Sequence, residues 1–150
     1  IFNGEEIYRH KKGVKNTYNS PDVINGIDWK YKTRFKDLFE YFVALADIRH
    51  DHPGFCLGDA ELVREKLEFI EVDDPCVVAF RISGLEDIDT AKSLVVVLNG
   101  SRTPIKVSIP NGKYTYLARN GQADAGGLGA FSGSSVTTGA ISATILAESY

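Results

Sequence analysis

Seven side chains between Tyr18 and Tyr31 have the types that hold carbohydrate. Tyr18, Trp29 and Tyr31 offer aromatic faces, Asn19 and Asn25 offer amides, and Asp22 and Asp28 offer carboxylates. A sugar ring has apolar C–H faces that stack on aromatic rings, and neighbouring hydroxyls that a carboxylate or amide can engage two at a time. All seven fall in one irregular, turn-rich segment. Packing of Trp29 and Tyr31 against the helix that follows explains those two rings equally well, so from the residues alone both readings stand.

Other chemistries are poorly served. Gly127-Leu128-Gly129-Ala130-Phe131-Ser132 approaches a dinucleotide fingerprint but ends in Ser and lies in no βαβ unit, so these glycines are expected to supply positive φ in a loop. Gly133-Ser134-Ser135 lacks the second glycine of a nucleophile elbow. His50 and His52 stand at a helix C-terminus without a third nearby metal ligand, where positive charge suits the dipole. The acidic groups Asp73-Asp74 and Glu86-Asp87-Ile88-Asp89 lack the spacing of a calcium loop and read as solvated turns. Asn99-Gly100-Ser101 fits a glycosylation sequon, but turn geometry accounts for it. Cys56 and Cys76 form no CxxC pair, and Cys76 reads as a small buried hydrophobe. No catalytic residue, metal ligand or cofactor is assigned.

Composition narrows the classes further. A chain of 150 residues suits one domain, or one domain with an appended piece. A net charge of −3 gives no electrostatic case for nucleic acid or an anionic membrane, and no apolar run reaches the length of a membrane span. No targeting segment is legible, so the compartment is unreadable from that source. Ile at position 1 and the absence of Met suggest a processed or designed boundary.

The elements that would position these groups follow from periodicity. Phe35, Leu38, Phe39, Phe42, Val43, Leu45, Ala46 and Ile48 recur at three and four, which predicts a long amphipathic helix from about Thr33 to Arg49, ended by Pro53-Gly54. A helix of this length is marginal alone in water, so its stripe is expected to be held by packing, either in a concentration-dependent homodimer or clamped against residues 62–98. A short helix with Asp59 as N-cap follows, Leu62 and Val63 facing inward. The period then drops to two. Leu67–Ile70, Cys76–Ile82, Leu94–Leu98, Ile105–Ile109, Lys113–Leu117, Ser135–Thr137 and Ile141–Leu146 read as strands. Leu94–Leu98 is apolar on both faces and is expected at the sheet centre, and Asn111-Gly112 reads as a type I′ hairpin turn. The sum is a mainly β chain: an antiparallel sandwich of about seven to eight strands preceded by a long helix.

The order of these stretches resembles a known family. Asn3-Gly4-Glu5-Glu6, Tyr18-Asn19-Ser20-Pro21-Asp22 and Ile27-Asp28-Trp29 resemble the last β/α unit of an alpha-amylase-superfamily barrel, most like type I pullulanase. Leu67-Glu68-Phe69, Val77-Val78-Ala79-Phe80-Arg81, Val95-Val96-Val97-Leu98-Asn99, Ile109-Pro110-Asn111-Gly112 and Ile141-Ser142-Ala143 continue the likeness. The resemblance implies that residues 1–57 are a remnant of the catalytic barrel (strand eight, loop and helix eight). Residues 58–150 would be a C-terminal β-sandwich domain, with the rest of the barrel as partner and α-glucan as the ligand of the parent.

Pullulanases hydrolyse α-1,6 linkages in pullulan, glycogen and branched dextrins with retention, which needs two carboxyl groups about 5–5.5 Å apart. In the family these follow barrel strands four, five and seven. The resemblance therefore implies that no residue here is catalytic, and Glu5 and Glu6 do not supply the pair. It implies a substrate-cleft loop carrying Tyr18, Asn19 and Asp22, pinned by Asn25, Asp28 and Trp29. It also implies an extracytoplasmic parent (secreted, periplasmic or cell-surface). The competing reading is a self-standing glycan-binding or adhesion sandwich, which has no use for residues 1–52.

Overall fold

A computed structural model describes all 150 residues. The chain divides into two compact units, Ile1–Val43 and Ala44–Tyr150. The division falls inside the long helix, earlier than the boundary at 57 expected for a barrel remnant.

The first unit is nearly all turns. A 3-10 turn covers Glu5–Ile7, followed by α1 (Asp22–Asn25), α2 (Lys30–Arg34) and the first half of α3 (Lys36–Asp51). Ile7 is its one fully buried apolar side chain. Around it the rings of Tyr8 and Tyr31 meet Phe35 edge-on, at 5.0 and 5.6 Å between centroids. Phe35 leaves helical dihedrals (φ −116°, ψ 44°), so a short α2 and a later-starting α3 replace the single predicted helix. Asn3-Gly4-Glu5-Glu6, expected to end a barrel strand, passes through a turn into the 3-10 helix, and Ile1 and Phe2 pair with no strand of this chain.

The second unit begins with the end of α3. Of the predicted stripe only Ile48 is fully buried. Leu38, Phe39, Phe42 and Leu45 are half-buried, and Val43 is exposed. Ile48 and Leu45 pack with Ile82, Leu85, Ala91 and Leu94, so the clamp against the β region holds at the helix C-terminus. A 3-10 turn, Pro53–Cys56, and α4 (Ala60–Lys66) follow. Asp59 caps α4 as predicted, its Oδ1 accepting from the amides of Glu61 and Leu62 at 2.8 and 3.1 Å. Leu62 is half-buried, whereas Val63 faces solvent.

Seven antiparallel strands form one continuous sheet: β1 (Leu67–Ile70), β2 (Val77–Ser83), β3 (Ser93–Asn99), β4 (Ile105–Arg119), β5 (Gln122–Ala123), β6 (Ala130–Thr138) and β7 (Ser142–Glu148). The order is β1-β2-β3-β7-β4-β5, with β6 also paired to β4. β3 is central as predicted, buried at every position but Leu98. Val77, Ala79, Val95 and Val97 share a core with Val107, Ile109, Tyr114 and Val136, although β3 has no hydrogen-bonded ladder to β4 or β6. The sheet thus folds over itself into a sandwich. Cys76, expected in the core, is exposed just before β2 begins.

One turn is not where the sequence put it. Asn111-Gly112 lies inside β4, and Gly112 lacks the positive φ of a type I′ turn. Pro110 has no N–H to give to the ladder, and the register shifts between Ser108 and Gly112, the mark of a bulge. Pairing of β4 with β7 starts just beyond it, at Tyr114, so the bulge marks where the β4–β6 ribbon turns away over the core. Asn120 (φ 50°) and Gly121 (φ 75°) have the dihedrals of the I′ turn instead, joining the paired residues Arg119 and Gln122.

Truncation of Ile48 to Ala is expected to destabilise the chain by about 2–5 kcal/mol, as for other buried aliphatics. Val43→Ala, on the same helix but exposed, is expected to stay within about 0.5 kcal/mol. Urea melts of both variants check the difference.

Candidate functional site

The site is built on the first unit. Two turns position it: Arg9–Val14, closed by the Val14 amide donating to the Lys11 carbonyl (3.0 Å), and Thr17–Ser20, closed by the Ser20 amide donating to the Thr17 carbonyl (3.1 Å). Pro21 precedes α1 at φ −68°, pre-set for a helix start, and Asp22 gives the first turn the negative charge its exposed amides favour. The Gly26 amide closes the helix onto the Asp22 carbonyl at 2.7 Å.

Tyr18 is 93% exposed and Asn19 is exposed beside it. Asp22 is also exposed and lines a cavity of about 330 Å³ with Arg9, His10, Lys12, Asp28 and Tyr31, which neither Tyr18 nor Asn19 reaches. The three predicted contact residues are thus close in sequence, but only Asp22 belongs to the cavity. Trp29 is 66% exposed and pins nothing, and Asp28 Oδ1 accepts locally from the Lys30 amide at 3.1 Å. Asn25 does pin the loop: its Nδ2 donates to the carbonyls of Thr17 and Ser20, each at 2.8 Å. Tyr31 packs on Phe35 and stacks on His10, as its alternative reading required.

Sequence reasoning missed Arg9, His10, Lys11 and Lys12. Their signal was a run of basic residues, which in isolation reads as a solvated face. Here Lys11 Nζ donates to Asn25 Oδ1 (2.6 Å), Arg9 Nη2 donates to the Asn25 carbonyl, and Arg9 and Lys12 line the cavity. Cations opposite carboxylates can bond the donor and acceptor sides of sugar hydroxyls together. Glu5 and Glu6 are committed to their own turn, accepting from the amides of Phe2 (3.1 Å) and Gly4 (3.0 Å). No group of three or more His, Cys, Asp or Glu side chains comes together to hold a metal.

His52 and Asp89 have another role. His52 is buried, and its Nδ1 lies 2.7 Å from Asp89 Oδ1. Asp89 also accepts from the amides of Gly54 (3.0 Å) and Ala91 (2.9 Å), tying the end of α3 to the segment before β3. A Cβ on Gly54 would stand 2.8 Å from Leu85 and 3.0 Å from Leu94, so the turn must pass close. Asp89 is therefore no solvated turn. Burial pushes its carboxyl up, but the bonds from Ala91, His52 and Gly54 outweigh that and hold it below its ordinary value.

Residues 63–122 match the family model described as the pullulanase all-beta domain. Over those residues the chain carries the all-β domain of the pullulanases. A curated pullulanase of Bacillus subtilis (strain 168) is 32% identical over 111 residues, covering 74% of this chain and 15% of the relative. The pullulanase from Bacillus acidopullulyticus superposes with a TM-score of 0.89 at 34% identity, over 97% of this chain and 18% of its own. A pullulanase of an Anoxybacillus species, complexed with maltotetraose, gives 0.86 at 27% identity, over 97% and 20%. The chain spans about 15% of the curated relative it matches. The mainly β, antiparallel reading and the resemblance to pullulanases drawn from the residues agree with these findings.

Because Asp89 titrates lower in the folded state, its stabilisation is fully present above the unfolded value of about 4 and is lost as pH falls through the folded one. Asp89→Asn is expected to melt lower than the parent chain at pH 7, with the gap narrowing below about pH 4. Thermal melts across pH 2–7 check this.

Proposed function

We propose that this chain is the non-catalytic C-terminal portion of a pullulanase-like debranching enzyme acting on α-1,6-glucosidic bonds in pullulan, glycogen or branched dextrins. Residues 1–57 end its barrel and residues 58–150 form its closing β domain. The observation that carries the reading is the extent of the likeness: pullulanase structures superpose over 97% of the chain, including the helices before the sheet. A self-standing glycan-binding sandwich would match from the sheet onward only.

In this reading the two units have different tasks. The β domain contributes stability. The first unit supplies one wall of the glucan cleft, the loop with Tyr18, Asn19 and Asp22, and is completed by the rest of the barrel. Two observations support a missing partner there. Ile1, Phe2, Tyr8, Tyr18, Val23 and Trp29 are all more than half exposed, more apolar surface than a small free unit leaves in water. The cavity beside Asp22 also brings the charged groups of Arg9, Lys12, Asp22 and Asp28 to one wall, where a further surface or ligand could engage them. Maltotetraose, present in the Anoxybacillus complex, is the class of ligand this cleft would hold.

The isolated 150-residue chain is expected to release no reducing sugar from pullulan, and calorimetry is expected to find no binding of maltotetraose tighter than millimolar. Turnover abolished by Glu5→Gln or Glu6→Gln would overturn the reading. So would micromolar binding that survives Tyr18→Ala, Asn19→Ala and Asp22→Ala combined, because the binding site would then lie elsewhere.

A further inference from the structure

We propose that Asn25 is a positioning residue for glucan binding, setting the height and direction of the Tyr18-Asn19 turn without touching the sugar. The inference rests on the reading that this turn borders an α-glucan cleft.

Tyr18 is 93% exposed, so its side chain has almost nothing to lean on and its place follows from the backbone that carries it. That backbone has few anchors. Within the turn, the Tyr18 amide donates to Asn16 Oδ1 at 3.1 Å and the Ser20 amide to the Thr17 carbonyl at 3.1 Å. Those bonds shape the turn but do not fix it to anything. The fixed points outside it come from Asn25, whose Nδ2 gives both protons to carbonyls flanking Tyr18 and Asn19, those of Thr17 and Ser20. A carboxamide is suited to this, because one planar nitrogen presents two diverging donors.

Asn25 is itself held from the opposite side. Lys11 Nζ donates to its Oδ1 at 2.6 Å, and Arg9 Nη2 donates to its main-chain carbonyl. Arg9 also reaches back, Nη1 donating to the Asn3 carbonyl at 3.2 Å. The chain of bonds runs from Asn3 through Arg9 and Asn25 to the Tyr18 turn. It therefore ties the segment resembling strand eight to the loop proposed to meet substrate. A Lys bond to Oδ1 also fixes which side of the amide faces the carbonyls, so the donor edge cannot flip away.

Asp at position 25 keeps the size and the Lys11 contact but offers oxygen to two carbonyl oxygens. Asn25→Asp should therefore disturb the turn at least as much as Asn25→Ala. In the 150-residue chain, both substitutions are expected to speed amide hydrogen exchange at Tyr18 and Ser20 about tenfold or more while leaving exchange in the sheet unchanged. In the full-length enzyme, both should raise KM for pullulan about tenfold with kcat within about twofold, and should be non-additive with Tyr18→Ala. Unchanged exchange at Tyr18 and Ser20 in Asn25→Asp overturns the inference. So does a KM effect fully additive with that of Tyr18→Ala. If Tyr18→Ala raises KM and Asn25→Asp does not, the inference alone falls. If the wild-type full-length enzyme leaves pullulan intact, the underlying functional reading falls and takes the inference with it.

Discussion

The fold depends on β7 being paired along both of its edges. Ser142–Glu148 is registered against β3 on one side, Val96 opposite Ile145, and against β4 on the other, Tyr116 opposite Leu146. Without that strand β4, β5 and β6 have no ladder to β1, β2 and β3. Alternation then assigns two cores. Leu146 joins Val95, Val97 and Tyr114 on the inside of the fold, whereas Ala147 joins Leu94, Leu117 and Ile48 on the face that receives the end of α3. A one-residue slip of β7 would exchange those sets and set each side chain against the wrong core. The end of the strand is locked by Glu148, buried and bonded to Arg81 (2.9 Å) and Ser93 (2.5 Å) with Lys92 nearby. Burial pushes that carboxyl up, but Ser93 and Arg81, both bonded to Oε2, more than offset it, so it stays charged.

What was legible in the sequence was what periodicity and local capping determine. β1 was read to the residue, the all-apolar run of β3 placed it at the centre, and the Asp59 cap followed from one side chain and its neighbours. What was hidden depends on partners distant in sequence. Asp89 reads as one acid in a solvated cluster until His52 and Gly54, 37 and 35 residues earlier, arrive to bond it. Asn111-Gly112 carries the composition of a hairpin turn, yet Tyr114 and the residues after it are claimed by β7, and the strand runs on through a bulge. The turn falls instead at Asn120-Gly121, the same dipeptide, where no strand claims the residues.

The candidate site was legible in type rather than in geometry. Aromatic, amide and carboxylate groups do gather between Tyr18 and Tyr31, but the structure sorts them by task. Tyr31 is packed, Asp28 serves its own backbone, and Trp29 stands free. Asn25 is structural to the loop, and Arg9 and Lys11 become its support. Periodicity carries no trace of such bonds, because the partners lie in turns and in a single helical turn too short to show one. The first unit holds one buried apolar side chain and many exposed ones, whereas the second has two closed cores. In the proposed reading that asymmetry is expected, because the rest of the barrel would cover the first unit.

The most direct test is crystallographic: a full-length pullulanase carrying this chain, soaked with maltotetraose. The account predicts a glucosyl residue within hydrogen-bond distance of Tyr18, Asn19 or Asp22, facing catalytic carboxylates supplied from outside these 150 residues. A cleft-bound oligosaccharide that touches none of the three would contradict it, as would one bound only on the β sheet.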